Sequence, residues 1–411
     1  MSLDRRSLLT GAAAAPFALA SPRGARAQGS PTLKIGVLND QSGVYRDISG
    51  PTSVACVRQA IQDSGVTARG VNVEVIFADH QNNAGTGSTI ARQWIDRDGV
   101  DMIIDVPNSA VALAVGGVCK EKDRAYINST GATADLTGSQ CAATTVHFTY
   151  DTYMLAKSTG GALVRAGGDT WFFVTADYAF GHALERDTTE FIRAANGRVV
   201  GSVRHPLNNT DFSSFLLQAQ QSRAKIVGLA NAGTDTINSV KQAAEFGLAR
   251  RGQKMAVLLM FINDVHSLGL QTAQGLVCTE TFYWDLNDRT RAFTNRVRAS
   301  LNGNMPAMSH AGVYAGALHY LKAVADMGVP AAKASGAAAV ARRKAMPTDD
   351  DCCGAGNIEW NGRKRHPSYL FEVKAPGESR GPWDYYKLLQ TTPADQAFRP
   401  AAETACTLPR S

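Results

Sequence analysis

No apolar run in this chain reaches the roughly 20 residues that a membrane-crossing helix needs. There is no Cys-x-x-Cys pair and no Cys/His cluster at zinc spacing, so a structural zinc site is excluded. A Gly-x-Ser-x-Gly elbow, a His-Glu-x-x-His helix and a Walker loop are all missing, which removes the commonest hydrolase and nucleotide-binding readings. The eight histidines are dispersed and form no acid–base pair at motif spacing. Charge of one sign is scarce too. Of the formal net charge of +6, half falls in the first 27 residues, where Arg5, Arg6, Arg23 and Arg26 face only Asp4. The rest is scattered and forms no basic stripe, so nucleic acid is not expected as a partner. What is present is a chain of 411 residues with 44% apolar and 19% charged residues. That composition describes packed globular structure, and the length predicts two domains.

The N-terminus reads as an export signal. Arg5 and Arg6 open a basic region, an apolar stretch runs from Leu8 to Ala20, and Ala25-Arg26-Ala27 gives a small-residue cleavage pattern. Paired arginines point to the twin-arginine route over the general secretory one, although Asp4 and Leu8 depart from its usual pattern. No lipobox cysteine follows, so a freely diffusing periplasmic product is expected. An oxidising compartment permits disulfides among the seven cysteines. Cys119 and Cys141 flank one strand and are the candidate pair; Cys406 has Cys352 or Cys353 as further options.

The mature chain alternates strand and helix. Strands are predicted at 33–38, 71–78, 102–106 and 125–129, with helices near 51–63, 88–96 and 111–121 between them. The rhythm restarts near 150, with strands at 171–176, 198–205, 225–230 and 256–261, and helices near 153–165, 183–195, 212–221 and 235–246. Continuous apolar strands imply burial on both faces and hence parallel sheets. The expected fold class is α/β, with two Rossmann-like lobes. The last 130 or so residues hold a strand at 275–284, helices at 291–301, 312–327 and 333–344, and short strands at 358–360 and 369–373. Such a tail completes both lobes, so the chain should cross between them near 150, 280 and 359. The boundaries expected are 1–27 for the signal, 32–149 with 281–358 for the first lobe, and 150–280 with 359–411 for the second. Gly85-Thr86-Gly87-Ser88 opens a helix but lacks the third glycine and lysine of a phosphate cradle. It reads as a helix start capped by Thr86 or Ser88.

In open parallel sheets ligands lie beyond the C-terminal ends of the strands. The residues there are rich in hydroxyls, amides and aromatics. Asn108 and Ser109 stand at a helix N-terminus, where free N–H groups and the helix dipole attract an anion. Gly131, Ala132 and Thr133 supply further donors, and Tyr45, Tyr178 and Phe180 give apolar walls. Tyr283, in the triplet Phe282-Tyr283-Trp284, lies at a predicted crossing, as hinge packing or as cleft lining.

Several stretches carry a resemblance: Lys34-Ile35-Gly36-Val37-Leu38 with Ser42-Gly43, Ala91-Arg92-Gln93-Trp94, Ser129 with Gly131-Ala132-Thr133, Asp177-Tyr178-Ala179-Phe180-Gly181, and Phe212-Ser213-Ser214. In order and spacing they resemble the type I periplasmic binding proteins of ABC importers, in the leucine/isoleucine/valine-binding branch. The resemblance spans essentially the whole mature chain. It implies two lobes hinged by three strands that close on a small ligand, no enzymatic activity, no cofactor, a monomer, and an ABC permease in the inner membrane as partner. It also implies a carboxylate site at Asn108, Ser109, Gly131, Ala132 and Thr133, with aromatic contacts from Tyr45, Tyr150, Tyr178 and Phe180. The family's ammonium site uses a second-lobe tyrosine and an acid. Those positions fall here on Asn231, which is not aromatic, and near Asp264. The segment Gly381-Pro382-Trp383-Asp384-Tyr385-Tyr386 is similar to a sub-branch that includes importers of aromatic carboxylates. The expected ligand is therefore an aromatic or aliphatic carboxylate, with a hydrophobic or branched-chain amino acid as the alternative. A ligand-sensing module for a membrane receptor is a further reading.

Overall fold

The computed structural model describes residues 31–410; the expected export signal lies outside the described residues. The first sheet is built from β1 (Thr32–Asn39), β2 (Asn72–Asp79), β3 (Met102–Asp105), β4 (Ala125–Asn128) and β5 (Thr145–His147), in the order β2-β1-β3-β4-β5 and parallel throughout. Helices α1 (Gly50–Ser64), α2 (Ala84–Asp96) and α3 (Ser109–Glu121) link the strands. β1, β3 and β4 run apolar and buried because helices cover both faces. β2 lies at the sheet edge and is only half-buried, so continuous burial holds for the inner strands and not for this one.

A helical segment follows β5, formed by α4 (Thr152–Leu155), a π turn at Ala156–Gly160 and α5 (Gly161–Arg165). The second sheet consists of β6 (Thr170–Ala176), β7 (Arg198–His205), β8 (Ile226–Ala230) and β9 (Lys254–Val257), in the order β7-β6-β8-β9 and again parallel. Its connections carry α6 (Ala179–Ala194), α7 (Ser213–Gln221) and α8 (Thr234–Glu245); α9 (Ile262–Leu268) and α10 (Leu270–Ala273) follow β9. The α/β class and the pair of parallel sheets are those expected.

The rest of the chain serves both sheets. β10 (Val277–Glu280) leads into α11 (Asp288–Val297), α12 (Met308–Met327), α13 (Val329–Ala334) and α14 (Gly336–Lys344). α12 packs along α1, and α14 against β4, on the first sheet. The hairpin β11 (Asn357–Ile358) and β12 (Lys364–Arg365) also stays there, since the His147 N–H donates to the Gly362 carbonyl at 2.9 Å. The third passage between the sheets therefore falls at His366–Pro367 and not near 359. β13 (Ser368–Val373) and β14 (Tyr386–Thr392) then pair antiparallel with β10. β5, of three residues, and the exposed edge strand β14 carry no apolar run that would mark them in the sequence.

Two local expectations are corrected. The cap of α2 is Asn83, whose side-chain oxygen accepts the Thr86 N–H at 2.9 Å, and not Thr86 or Ser88. The disulfide joins Cys141 to Cys406, not to Cys119. Cys119 faces the buried layer between α3 and the sheet, and it is a free thiol, as are Cys352 and Cys353. The reason is the path of the last residues. After β14, Phe398 is buried beneath the Arg363 guanidinium, and Arg399 stacks on Tyr153. The chain then returns to the first sheet, where the Thr404 hydroxyl donates to the Thr137 carbonyl at 2.8 Å. That return delivers Cys406 to Cys141.

Candidate functional site

The C-terminal ends of β1, β3 and β4 face those of β6, β8 and β9 across a closed cleft. On the first side, Asp105 and Val106 both adopt positive φ, 88° and 59°, immediately before Pro107. Two consecutive non-glycine residues in this region are costly, and such strain concentrates at functional sites. The kink turns the chain so that α3 starts at the cleft. Asp105 is buried, with Asn39 and Thr130 donating to its carboxylate; desolvation raises its pKa to about 6.

Asn108 caps α3, since its side-chain oxygen accepts the N–H groups of Ala110 and Val111 at 2.9 and 3.2 Å. It thus serves as a helix cap through its oxygen, while no hydrogen bond among the described residues occupies its side-chain NH2 group. Ser109 lies one residue on, and its hydroxyl oxygen accepts the N–H groups of Ala132 and Thr133, both at 3.2 Å. The start of α3 and the turn after β4 are thus tied together by one side chain. A Cβ at Gly131 would lie 2.8 Å from both the Val106 carbonyl and the Ala112 Cβ, so only glycine lets the turn approach the helix this closely. Thr133 caps the next turn and donates to Asp135 at 3.1 Å. Ser129 brings a buried hydroxyl oxygen with no partner.

Tyr45 follows β1, and its phenol is hydrogen-bonded to that of Tyr178, which follows β6. Burial and this neighbour raise the Tyr45 pKa well above its ordinary value. Next to them, the N–H of Thr234 donates to the Val44 carbonyl at 3.3 Å. Gly233 has φ +61°, and a Cβ there would sit 2.4 Å from the same carbonyl. Phe180 is buried two residues beyond Tyr178, with ring centroids 6.0 Å apart. Tyr150 spans the floor: its hydroxyl donates to the Thr130 carbonyl at 2.7 Å, and its ring meets Phe261 edge-on at 5.7 Å. The structure brings these residues together.

Others do not. Asn231 is engaged within its own lobe, accepting from Thr236 at 2.9 Å and donating toward Ser239 and His205. Tyr283 packs on Phe371 and Tyr386 and donates to the Trp383 carbonyl at 3.2 Å. Asp264, by contrast, does lie beside Tyr150: it is buried and accepts the Phe261 N–H at 2.9 Å, capping α9, with its pKa raised to about 7 by burial.

Sequence reasoning missed Glu280. It ends β10, is fully buried, and accepts from the Tyr386 hydroxyl at 3.1 Å, while its second oxygen has no partner. Desolvation drives its pKa well above the carboxylate range, and no cationic side chain offsets this. A single acid in an apolar strand gave no motif that could have marked it. No group of three or more His, Cys, Asp or Glu side chains suited to a metal occurs among the described residues.

Two facing parallel α/β sheets, a floor of shared hinge segments and a mouth closed by one tyrosine from each side define a two-lobed solute-binding architecture. The periplasmic binding protein family model matches residues 32–380, and the chain belongs to that family. A periplasmic binding protein from Burkholderia mallei is 46% identical, with a TM-score of 0.88, over 92% of this chain and all of that one. A branched-chain amino acid ABC transporter periplasmic ligand-binding protein from Burkholderia xenovorans is 37% identical, with a TM-score of 0.79, over 92% of this chain and 99% of that one. At 20% identity, an ABC-transporter solute-binding protein from R. palustris, solved with 4-hydroxybenzoate, shares the fold with a TM-score of 0.79 over 89% of this chain and 98% of that one. The chain is thus a solute-binding protein of the ABC-transporter class, in a family of binding proteins and not of enzymes.

Proposed function

We propose that the protein captures a small carboxylate ligand in the periplasm and presents it, in the closed form, to an inner-membrane ABC permease. In this reading the first lobe comprises 32–149 with 281–365, and the second 150–280 with 366 onward, the final residues returning to the first. The carboxylate docks at the start of α3, on the Ser109 hydroxyl, the Asn108 side-chain NH2 and the Gly131–Thr133 turn. Tyr45, Tyr150, Tyr178 and Phe180 enclose the body of the ligand. Apolar burial contributes roughly 25 cal/mol per Å² before ordering costs. Ligand contacts on both lobes bias the hinge toward closure. The observation that carries the proposal is the way Ser109 ties the α3 N-terminus to the 131–133 turn.

A thermal-shift panel of aromatic acids, aliphatic acids and amino acids tests it. A ligand at 100 times its dissociation constant adds about 2.7 kcal/mol of stability. Ser109→Ala and Thr133→Ala should each weaken that ligand by about 1.5–3 kcal/mol. Unchanged affinity in both would remove the carboxylate assignment.

Glu280 and Asp264 favour a second reading, in which the ligand is an amino acid. Two buried acids beside Tyr150, one with an unpartnered oxygen, suit an ammonium group. The Burkholderia xenovorans relative, described as a branched-chain amino acid transporter component, supports the same choice. Comparing L-leucine with 4-methylpentanoate separates the two readings.

A further inference from the structure

Asp135 follows the 131–133 turn on the first lobe, and Arg186 stands on α6 of the second. The Arg186 guanidinium reaches both oxygens of Asp135, at 3.3 and 3.5 Å. Its Nε donates to Asp187 at 3.0 Å, which fixes the fork. Asp187 is buried and accepts the Thr152 hydroxyl proton at 2.6 Å. Thr152 in turn accepts the Ala134 N–H at 3.1 Å and donates its own N–H to the Ala132 carbonyl at 2.8 Å. Asp135 also grips Thr133 twice: its carboxylate accepts the Thr133 hydroxyl proton at 3.1 Å, and its N–H donates to the same hydroxyl oxygen at 3.3 Å. The turn from Ala132 to Asp135 is therefore held at both ends by groups from across the hinge.

We infer that Arg186 and Asp135 form an inter-lobe latch that holds the Ala132–Asp135 turn in place in the closed protein. The inference rests on the proposed role of the 131–133 turn. Asp135 orients the Thr133 hydroxyl, and Arg186 orients Asp135 only when α6 approaches the first lobe. Closure and the shape of the docking turn thus become one event, and both residues act as positioning residues. The pair borders a cavity of about 200 Å³ that Arg399 and Thr404 also line, and both of its side chains are part-exposed. Counter-ions can reach such a pair, so salt should weaken it.

The test compares the wild type, Asp135→Asn, Arg186→Gln, Arg186→Lys and the double variant Asp135→Asn/Arg186→Gln. Binding of L-leucine and of benzoate is measured at low and at 0.5 M salt, together with apo melting and small-angle scattering. The expected result is three- to tenfold weaker binding in each neutral single variant, no further loss in the double, and partial recovery with lysine. Salt sensitivity should be confined to proteins that keep the ion pair. Apo melting should move by no more than about a degree in Asp135→Asn, because an exposed pair adds little stability; the Arg186 variants also unpair the buried Asp187 and should melt lower. Additive losses in the double variant, or apo melting of Asp135→Asn that falls in step with affinity, would overturn the latch. If neither probe binds the wild type, the ligand proposal fails while scattering still decides the latch. Neutral variants more open than the wild type support it, and unchanged dimensions overturn it.

Discussion

Tyr45 and Tyr178, one from each lobe, meet through their phenol oxygens and close the mouth of the cleft. The bond joins groups 133 residues apart, so removing it is expected to act on closure and not on the folding of either lobe. Tyr45→Phe or Tyr178→Phe should weaken ligand by about 0.5–1.5 kcal/mol. Calorimetric titration should show this with the apo melting midpoint almost unchanged. An equal loss in apo stability would place the bond in the fold and not in the closing step.

Gly233 makes a sharper demand on the same mouth. Any Cβ there meets the Val44 carbonyl of the opposite lobe at 2.4 Å, and the backbone is left-handed. Gly233→Ala should cost about 1 kcal/mol in the second lobe from the backbone alone. It should also lower ligand affinity by tenfold or more because full closure is blocked. Affinity within twofold of the wild type would mean that the bound form is more open than the structure described.

The Cys141–Cys406 bridge closes a span of 265 residues and binds the returning tail to the first lobe. Cys406→Ser should lower stability by about 2–4 kcal/mol under non-reducing conditions, and a reductant should bring the wild type down to the same level. A denaturation series with and without dithiothreitol reads this directly. The Cys119→Ser variant should keep the bridge, visible as one free thiol fewer in the denatured, unreduced protein and the same stability loss on adding dithiothreitol.

Buried acids and histidines pull stability in opposite directions with pH. His80 and His310 are lowered to about 4, and His319 and His366 to about 3, all chiefly by desolvation. Their unfolded forms bind protons below about pH 6.5, so stability falls as pH drops through that value. Asp235 and Asp264 are raised to about 7, so the native state holds their protons and stability falls as pH rises from about 4 toward 7. Below pH 6.5 the two groups oppose each other; above it only the acids still titrate. Apo stability should therefore fall by on the order of 1–2 kcal/mol between pH 6.5 and 8. A melting midpoint that rises across that window would show the two aspartates already ionised in the native protein.

Glu280→Gln tests the amino-acid reading. If the ligand carries an ammonium, the variant should lose at least tenfold in affinity for L-leucine while still binding 4-methylpentanoate as the wild type does. Equal binding of leucine by both proteins would remove Glu280 from the site.

Much of this protein was legible in local sequence. Apolar runs such as Ile35–Leu38 and Val227–Leu229, separated by amphipathic helices, determine two parallel sheets, because strands buried on both faces admit little else. Turn chemistry after those strands marked Ser109, Gly131–Thr133, Tyr45 and Tyr178, since strand ends are where such sheets leave backbone groups open. Local sequence could not say how side chains use their hydrogen bonds. Asn108 spends its oxygen on a helix cap, Asn231 on Thr236, and Tyr283 on the Trp383 carbonyl, all decided by neighbours distant in sequence. The Cys406 partner, the isolated carboxyl of Glu280 and the Arg186–Asp135 pair have the same origin. Each depends on where the chain returns after leaving a lobe, and a path of that kind is set by the packing of the whole and not by any window of residues.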